Sequence, residues 1–156
     1  MAPSTNVYTL ENEIFRLYAT YVTIVVLKMM AVALWTSKYR LQRKVFANWE
    51  DLAFVGEERE RMRPILNDPS LLRIQRCHLN DLENVVPFAV LGLLYVATQP
   101  SFNAASLHFR AFALSRFFHT VAYLTPLRQP SRSLAYAAGV VVNCSMAFLI
   151  IRSGQF

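Results

Sequence analysis

The sequence predicts an all-α integral membrane protein, a four-helix bundle of up-down topology, on three observations. Apolar residues make up 54% of the chain and charged residues 17%, with a mean hydropathy of +0.28. The apolar residues are gathered into long runs, the pattern that bilayer hydrocarbon selects. The basic residues, which outnumber the acidic ones and give a net charge of +6, fall largely between those runs. Placed there, they read as topology signals. No basic stripe is joined to a DNA- or RNA-binding motif, so nucleic acid is not an expected partner. At 156 residues the chain is of single-domain size, 1–156.

The first span, about 14–36, reads IFRLYATYVTIVVLKMMAVALWT, and from Leu17 onward its only charge is Lys28. The preceding MAPSTNVYTLENE has no basic stretch, so the span is expected to remain as a signal anchor. A loop of about 37–68 follows, holding Lys38, Arg40, Arg43, Lys44, Arg59, Arg61 and Arg63. The second span, about 69–98, has an uncharged part that is too short to cross alone. Its helix is expected to start at NDPSLL, with Asp68 as N-cap and Pro69 as first helical residue. Such a helix is about 45 Å long, so its polar half projects from the bilayer or is buried in protein. Pro87 is expected to kink it and to free the carbonyl of Glu83.

The third span, about 104–125, is the least membrane-like, since it contains His108, Arg110, Arg116 and His119. Inside a bundle such groups face inward, to each other or to a ligand. The fourth, about 133–151, reads SLAYAAGVVVNCSMAFLII and has no charge. Arg128 and Arg132 lie near the third connection, whereas the second, PSFN, has no charge. The positive-inside rule then puts the 37–68 loop and the third connection in the cytosol and both termini on the far side. Cys77 and Cys144 fall in different helices and do not form a disulfide framework. No His, Cys and carboxylate set has metal spacing, so no metal is expected.

At about 100° per residue, Arg73, Arg76, Asn80 and Glu83 lie within about 80° of one another on the second helix. Arg116, His119 and Tyr123 make a second stripe, and Arg132, Tyr136 and Asn143 a third with Gly139 between them. All three stripes lie toward the cytosolic ends of their helices. One reading is that they pair with each other to satisfy a core. Against it, Arg73, Arg76, Arg116 and Arg132 outnumber Glu83 and Asp81, and unpaired buried cations are costly. An anionic ligand removes the cost. Guanidinium forks suit carboxylates or phosphate, and a glutamate suits an ammonium. With only four glycines and no glycine-rich phosphate loop, nucleotides fit poorly. A small peptide with two carboxylates and one amine fits well, and glutathione is such a peptide. A nearby Arg or Tyr would stabilise its thiolate, the reactive form.

RCHLNDLENVVPF (76–88), FANWED (46–51), HTVAYLTPL (119–127) and QPSRSLAY (129–136) resemble the MAPEG family, membrane proteins of eicosanoid and glutathione metabolism. The similarity runs from about 11 to 152. It implies a homotrimer of four-helix subunits with a glutathione site between neighbours, open to the cytosol. By position, the resemblance gives Arg40, Arg76, Asn80, Glu83, His119, Tyr123, Arg132 and Tyr136 as glutathione contacts. Arg132 is the implied thiolate stabiliser, and Tyr123 the second implied catalytic residue. Glu83 holds the γ-glutamyl amine, and Arg73, His78, Arg116 and Ser133 support the site. The implied location is the endoplasmic reticulum membrane, the outer mitochondrial membrane being the alternative. The partners are lipid, hydrophobic electrophiles and lipid peroxides.

The chain also departs from the family's pattern. Trp49 stands where Pro is common, and Leu52 where the transferase branch often has a cysteine tied to activation by thiol modification; no such activation is expected here. SRS (131–133) replaces NRG, so Ser133 and Tyr136 resemble the prostaglandin-synthesising branch. Leu79 matches the transferase branch. The expected function is therefore a detoxifying glutathione transferase with lipid-hydroperoxide peroxidase activity. The alternatives are a glutathione-dependent prostaglandin endoperoxide isomerase using Ser133 and Asp51, a non-catalytic lipid-binding scaffold, and a small channel.

Overall fold

A computed structural model describes residues 6–154, except for the side chains of Glu58 and Arg59. Four α-helices follow one another: α1 (Glu13–Arg43), α2 (Pro69–Ala97), α3 (Phe102–Leu124) and α4 (Ser131–Ser153). A 3-10 stretch, Glu50–Arg61, lies in the α1–α2 connection, and there is no strand among the described residues. α1, α2 and α4 are long and apolar enough to cross a membrane. The charged α3 does not meet that measure.

Sequence chemistry sets the helix ends. Asn12 caps α1, its Oδ1 accepting from the Ile14 and Phe15 amides at 2.9 and 3.1 Å. At the other end, Lys44 takes the left-handed conformation, φ 53°, and its amide donates to the Arg40 carbonyl. α1 thus continues past the expected limit of 36, through Lys38, Arg40 and Arg43. A basic last turn complements the helix dipole, and hydrogen bonding has no reason to stop where the apolar run stops. α2 begins as expected, with Pro69 first and Asp68 accepting from the Leu71 amide at 2.7 Å. The helix runs on through Pro87 to Ala97.

In the connection, Gly56 adopts φ 62° and divides the 3-10 stretch. The Ile65 amide donates to the Phe46 carbonyl, folding this segment back on itself. Arg63 lies over the Trp49 ring at 5.4 Å.

Cross-helix contacts set an alternating, up-down arrangement. Tyr18, Ala89 and Phe109 meet at one level, and Lys28, Asp81 and Thr120 at another. α1 and α3 therefore run against α2. α4 runs against α3, since Ala135 meets Arg116 while Ser145 meets His108. The core is aromatic. Phe88 and Phe112 stack at 3.9 Å, and Phe109 meets Phe88, Tyr18 and Tyr95 edge-on. Gly92 admits the Tyr18 ring, which would lie 2.7 Å from a Cβ there. The Tyr18 hydroxyl donates to the Ala89 carbonyl at 2.7 Å.

Candidate functional site

Toward the C-terminal ends of α1 and α3 the core turns polar. Lys28 Nζ lies 2.6 Å from Asp81 Oδ1 and donates to Thr120 Oγ1 at 2.7 Å. The Thr120 hydroxyl donates to the Arg116 carbonyl at 3.1 Å. Arg116 is fully buried. Its Nη1 donates to Asn80 Oδ1 at 3.1 Å, its Nη2 to the Ala135 carbonyl at 2.9 Å, and its Nε to Ser115 Oγ at 3.5 Å. The guanidinium also lies 5.8 Å from the Phe112 ring centre. Two cations and one carboxylate thus meet beside the buried aromatic core, and Arg116 is held by neutral oxygens. Its hydrogen-bonding demand is met by a side-chain amide and a helix carbonyl, which is how a cation with five donors is kept satisfied when carboxylates are scarce.

Two grooves open beyond this cluster. A cavity of about 370 Å³ is lined by Asn67, Pro69, Leu72, Arg73, Arg76, Tyr123 and Arg132. A second, of about 220 Å³, is lined by Asn80, His119, Tyr123, Arg132, Ser133 and Tyr136. Both contain Tyr123 and Arg132, so the grooves share a wall. There the Arg132 guanidinium lies over the Tyr123 ring at 4.6 Å. Tyr123 also meets the His119 ring at 5.5 Å, and Arg73 Nη1 donates to the Tyr123 carbonyl at 3.5 Å. Ser133 Oγ donates to Gln129 Oε1 at 3.1 Å within the first turn of α4.

The structure therefore brings Arg73, Arg76, Asn80, His119, Tyr123, Arg132, Ser133 and Tyr136 around two adjoining grooves. Arg116 stands behind them, holding Asn80. Arg40, His78 and Glu83 line neither groove: Arg40 and His78 are half-buried and Glu83 is exposed. Arg40 lies twelve residues beyond Lys28 along α1, about 18 Å. The Arg40 Nε and His78 Nδ1 atoms are buried without a hydrogen-bond partner among the described residues. Asp51 accepts from Asn48 Nδ2 at 3.2 Å and lies outside both grooves.

The third stripe divides. Arg132 and Tyr136 face the groove, but Gly139 and Asn143 turn into the bundle. Asn143 Nδ2 donates to the Asn84 carbonyl at 3.3 Å. A stripe on a helix need not face one thing along its length, because the helix crosses its neighbours at an angle. His108 is likewise structural: Nδ1 meets the Ala104 carbonyl at 2.7 Å and Nε2 meets Ser145 Oγ at 3.0 Å.

The Lys28–Asp81–Thr120 link is not evident from the sequence, where Lys28 is only the lone charge of an apolar run. A lone Lys in an apolar run and an Asp in the second span were the available signals. Cys77 is fully buried, and Cys144 is exposed on α4. Among the described residues no His, Cys and carboxylate group is arranged to hold a metal ion.

A groove lined by arginines, a tyrosine and amide donors, cut into an apolar bundle, suits a small anion presented beside a lipid phase. Comparison with known proteins points to the same chemistry. The family model described as the MAPEG family matches residues 18–152. Microsomal glutathione S-transferase 1 of Sus scrofa is 47% identical over 144 residues, covering 92% of this chain and 93% of that protein. The Homo sapiens protein of that name is 44% identical over the same shares. Prostaglandin E synthase of Bos taurus is 36% identical over 149 residues, 96% of this chain and 95% of its own. The resemblance first carried by four short motifs thus extends over nearly the whole sequence, and the chain belongs to the MAPEG family.

Proposed function

We propose that the protein is a membrane-bound glutathione transferase that stabilises the glutathione thiolate and couples it to hydrophobic electrophiles. The observation that carries this reading is the Arg132 guanidinium, stacked on Tyr123 where the two grooves meet. A cation fixed over a ring holds one orientation and lowers the energy of a sulfur anion set beside it. The similarity to microsomal glutathione S-transferase 1 supports the same chemistry. Arg73 and Arg76 offer forks for the peptide's carboxylates, and Asn80, His119 and Tyr136 line its path.

Glu83, the expected partner of the γ-glutamyl amine, and Arg40 lie outside the grooves of a single chain. The proposed homotrimer supplies the missing wall, with the site between neighbouring subunits. In this arrangement α3 completes the four spans, with Arg116 buried against α2 and α4. The 44–68 connection is cytosolic and the termini lumenal, in the endoplasmic reticulum.

In conjugation, the thiol proton goes to solvent, and the thiolate attacks the carbon of an aryl chloride. A carbon–sulfur bond forms and chloride leaves with the electron pair. With a lipid hydroperoxide, the thiolate takes the terminal oxygen and the lipid leaves as its alkoxide, which is protonated to the alcohol. A second glutathione then converts the sulfenic acid to disulfide and water.

The test compares wild type with Arg132→Ala in the conjugation of chlorodinitrobenzene and in the ultraviolet thiolate band formed with glutathione. Loss of both, with unchanged thermal unfolding, is the expected result. An unchanged rate removes Arg132 from the mechanism. A second reading, a glutathione-dependent prostaglandin endoperoxide isomerase, is favoured by Ser133 in the groove and by the similarity to prostaglandin E synthase. Endoperoxide conversion that is lost in Ser133→Ala, while conjugation persists, would establish it.

A further inference from the structure

The polar cluster behind the groove forms a circuit. Lys28 joins Asp81 and Thr120, Thr120 joins the Arg116 backbone, and the Arg116 side chain joins Asn80. Asp81 follows Asn80 in sequence, so both ends of the circuit lie on one turn of α2. Of these five residues Asn80 alone lines a groove. Simple cohesion does not call for such a circuit, since an apolar set of similar volume often packs as well as a buried ion pair. The circuit fixes something more specific. With Oδ1 engaged by Arg116, the Asn80 amide presents Nδ2 as the donor left for a ligand. Gly139 leaves room for the guanidinium in this one place, because a Cβ there would lie 2.9 Å from Nη2.

We infer that the Lys28–Asp81 ion pair is a positioning element of the glutathione site, acting through Thr120 and Arg116 to set the orientation of Asn80. The inference rests on the glutathione reading of the groove. Asp81 supplies the negative charge between two buried cations. Without it Lys28 and Arg116 repel, and Arg116 is driven from Asn80. Without Lys28, Asp81 becomes an unpaired carboxylate that draws Arg116 to itself. Either change turns the Asn80 amide, although neither residue touches the ligand.

Single neutralisations strand a buried charge and risk unfolding, so the decisive variant is the double substitution Lys28→Met with Asp81→Leu. Thr120→Val, which cuts the link to α3 without a charge change, is the second. Lys28→Arg keeps the pair. Each is made in the full-length chain and reconstituted in lipid nanodiscs. Calorimetric glutathione affinity, the thiolate band, kcat and KM for glutathione, and thermal unfolding are measured.

The double variant is expected to unfold near the wild-type temperature and to bind glutathione about tenfold more weakly, the effect of one lost charge-assisted hydrogen bond. KM should rise more than kcat falls. Thr120→Val should shift affinity in the same direction, and Lys28→Arg should restore it. Wild-type affinity in the double variant overturns the inference. Affinity lost only in step with folded protein, in both the double variant and Thr120→Val, overturns it too, by making the pair purely structural. A wild-type chain that binds no glutathione overturns the reading of the groove itself, and is told apart by that control.

Discussion

A methyl group at position 139 would lie 2.9 Å from Arg116 Nη2 and 3.1 Å from Nε. Those atoms are committed to the Ala135 carbonyl and Ser115, and the arginine is fully buried, so it has nowhere to retreat. Gly139→Ala is therefore expected to destabilise the bundle by about 1–3 kcal/mol, the usual cost of overpacking, read as a lowered unfolding temperature. Gly56 has its positive φ but open space around it. At this scale the sequence was partly legible. Arg132 and Tyr123 could each be singled out by helical spacing and family motif, but only the structure stacks one on the other. Gly139 could not be understood, because its partner lies 23 residues away on another helix. Nor could the sequence assign Asp81 to Lys28 rather than to an arginine, since that choice depends on which faces of α1, α2 and α3 meet.

At the scale of elements, α2 carries both halves of the design: a polar first half with Arg73, Arg76 and Asn80, and an apolar second half that packs Phe88, Tyr95 and Val96. Its start depends on Asp68. Asp68→Ala removes the acceptor for the Leu71 amide and is expected to cost about 1 kcal/mol in chemical or thermal unfolding. An unchanged unfolding midpoint would mean that water caps the helix as well. This boundary was readable because Asp followed by Pro is a local signal. The end of α1 was not. Lys38, Arg40 and Arg43 look like loop residues by hydropathy, yet they are the last turns of a helix about 46 Å long. A bilayer ends where apolar residues end; a helix ends where its hydrogen bonding is capped, here at Lys44 with φ 53°.

For the whole molecule, the distribution of basic residues gives a directional expectation. With the 44–68 connection cytosolic, a cysteine introduced by Glu57→Cys should react with a membrane-impermeant maleimide on sealed microsomes. One introduced by Ser101→Cys should react only after permeabilisation. Labelling of both before permeabilisation would refute the proposed orientation. The helix order and alternating directions were legible from hydrophobic runs and short connections. The number of spans was less so, because α3 carries His108, Arg110, Arg116 and His119 and falls short of a free-standing span. The groove itself was legible only as converging stripes, since its walls come from three helices and a single chain leaves Arg40 and Glu83 outside it.

The burial of Arg116 also constrains how the protein is made. In the proposed four-span arrangement, α3 emerges from the ribosome with a cation that lipid would reject. Its acceptors on Asn80 and Ala135 lie on helices synthesised before and after it. In order of synthesis, Arg116 gains its last partner only when α4 arrives. A chain that ends before Ala135 would leave Arg116 incompletely paired, so the buried cluster is complete only when α2, α3 and α4 are all in place.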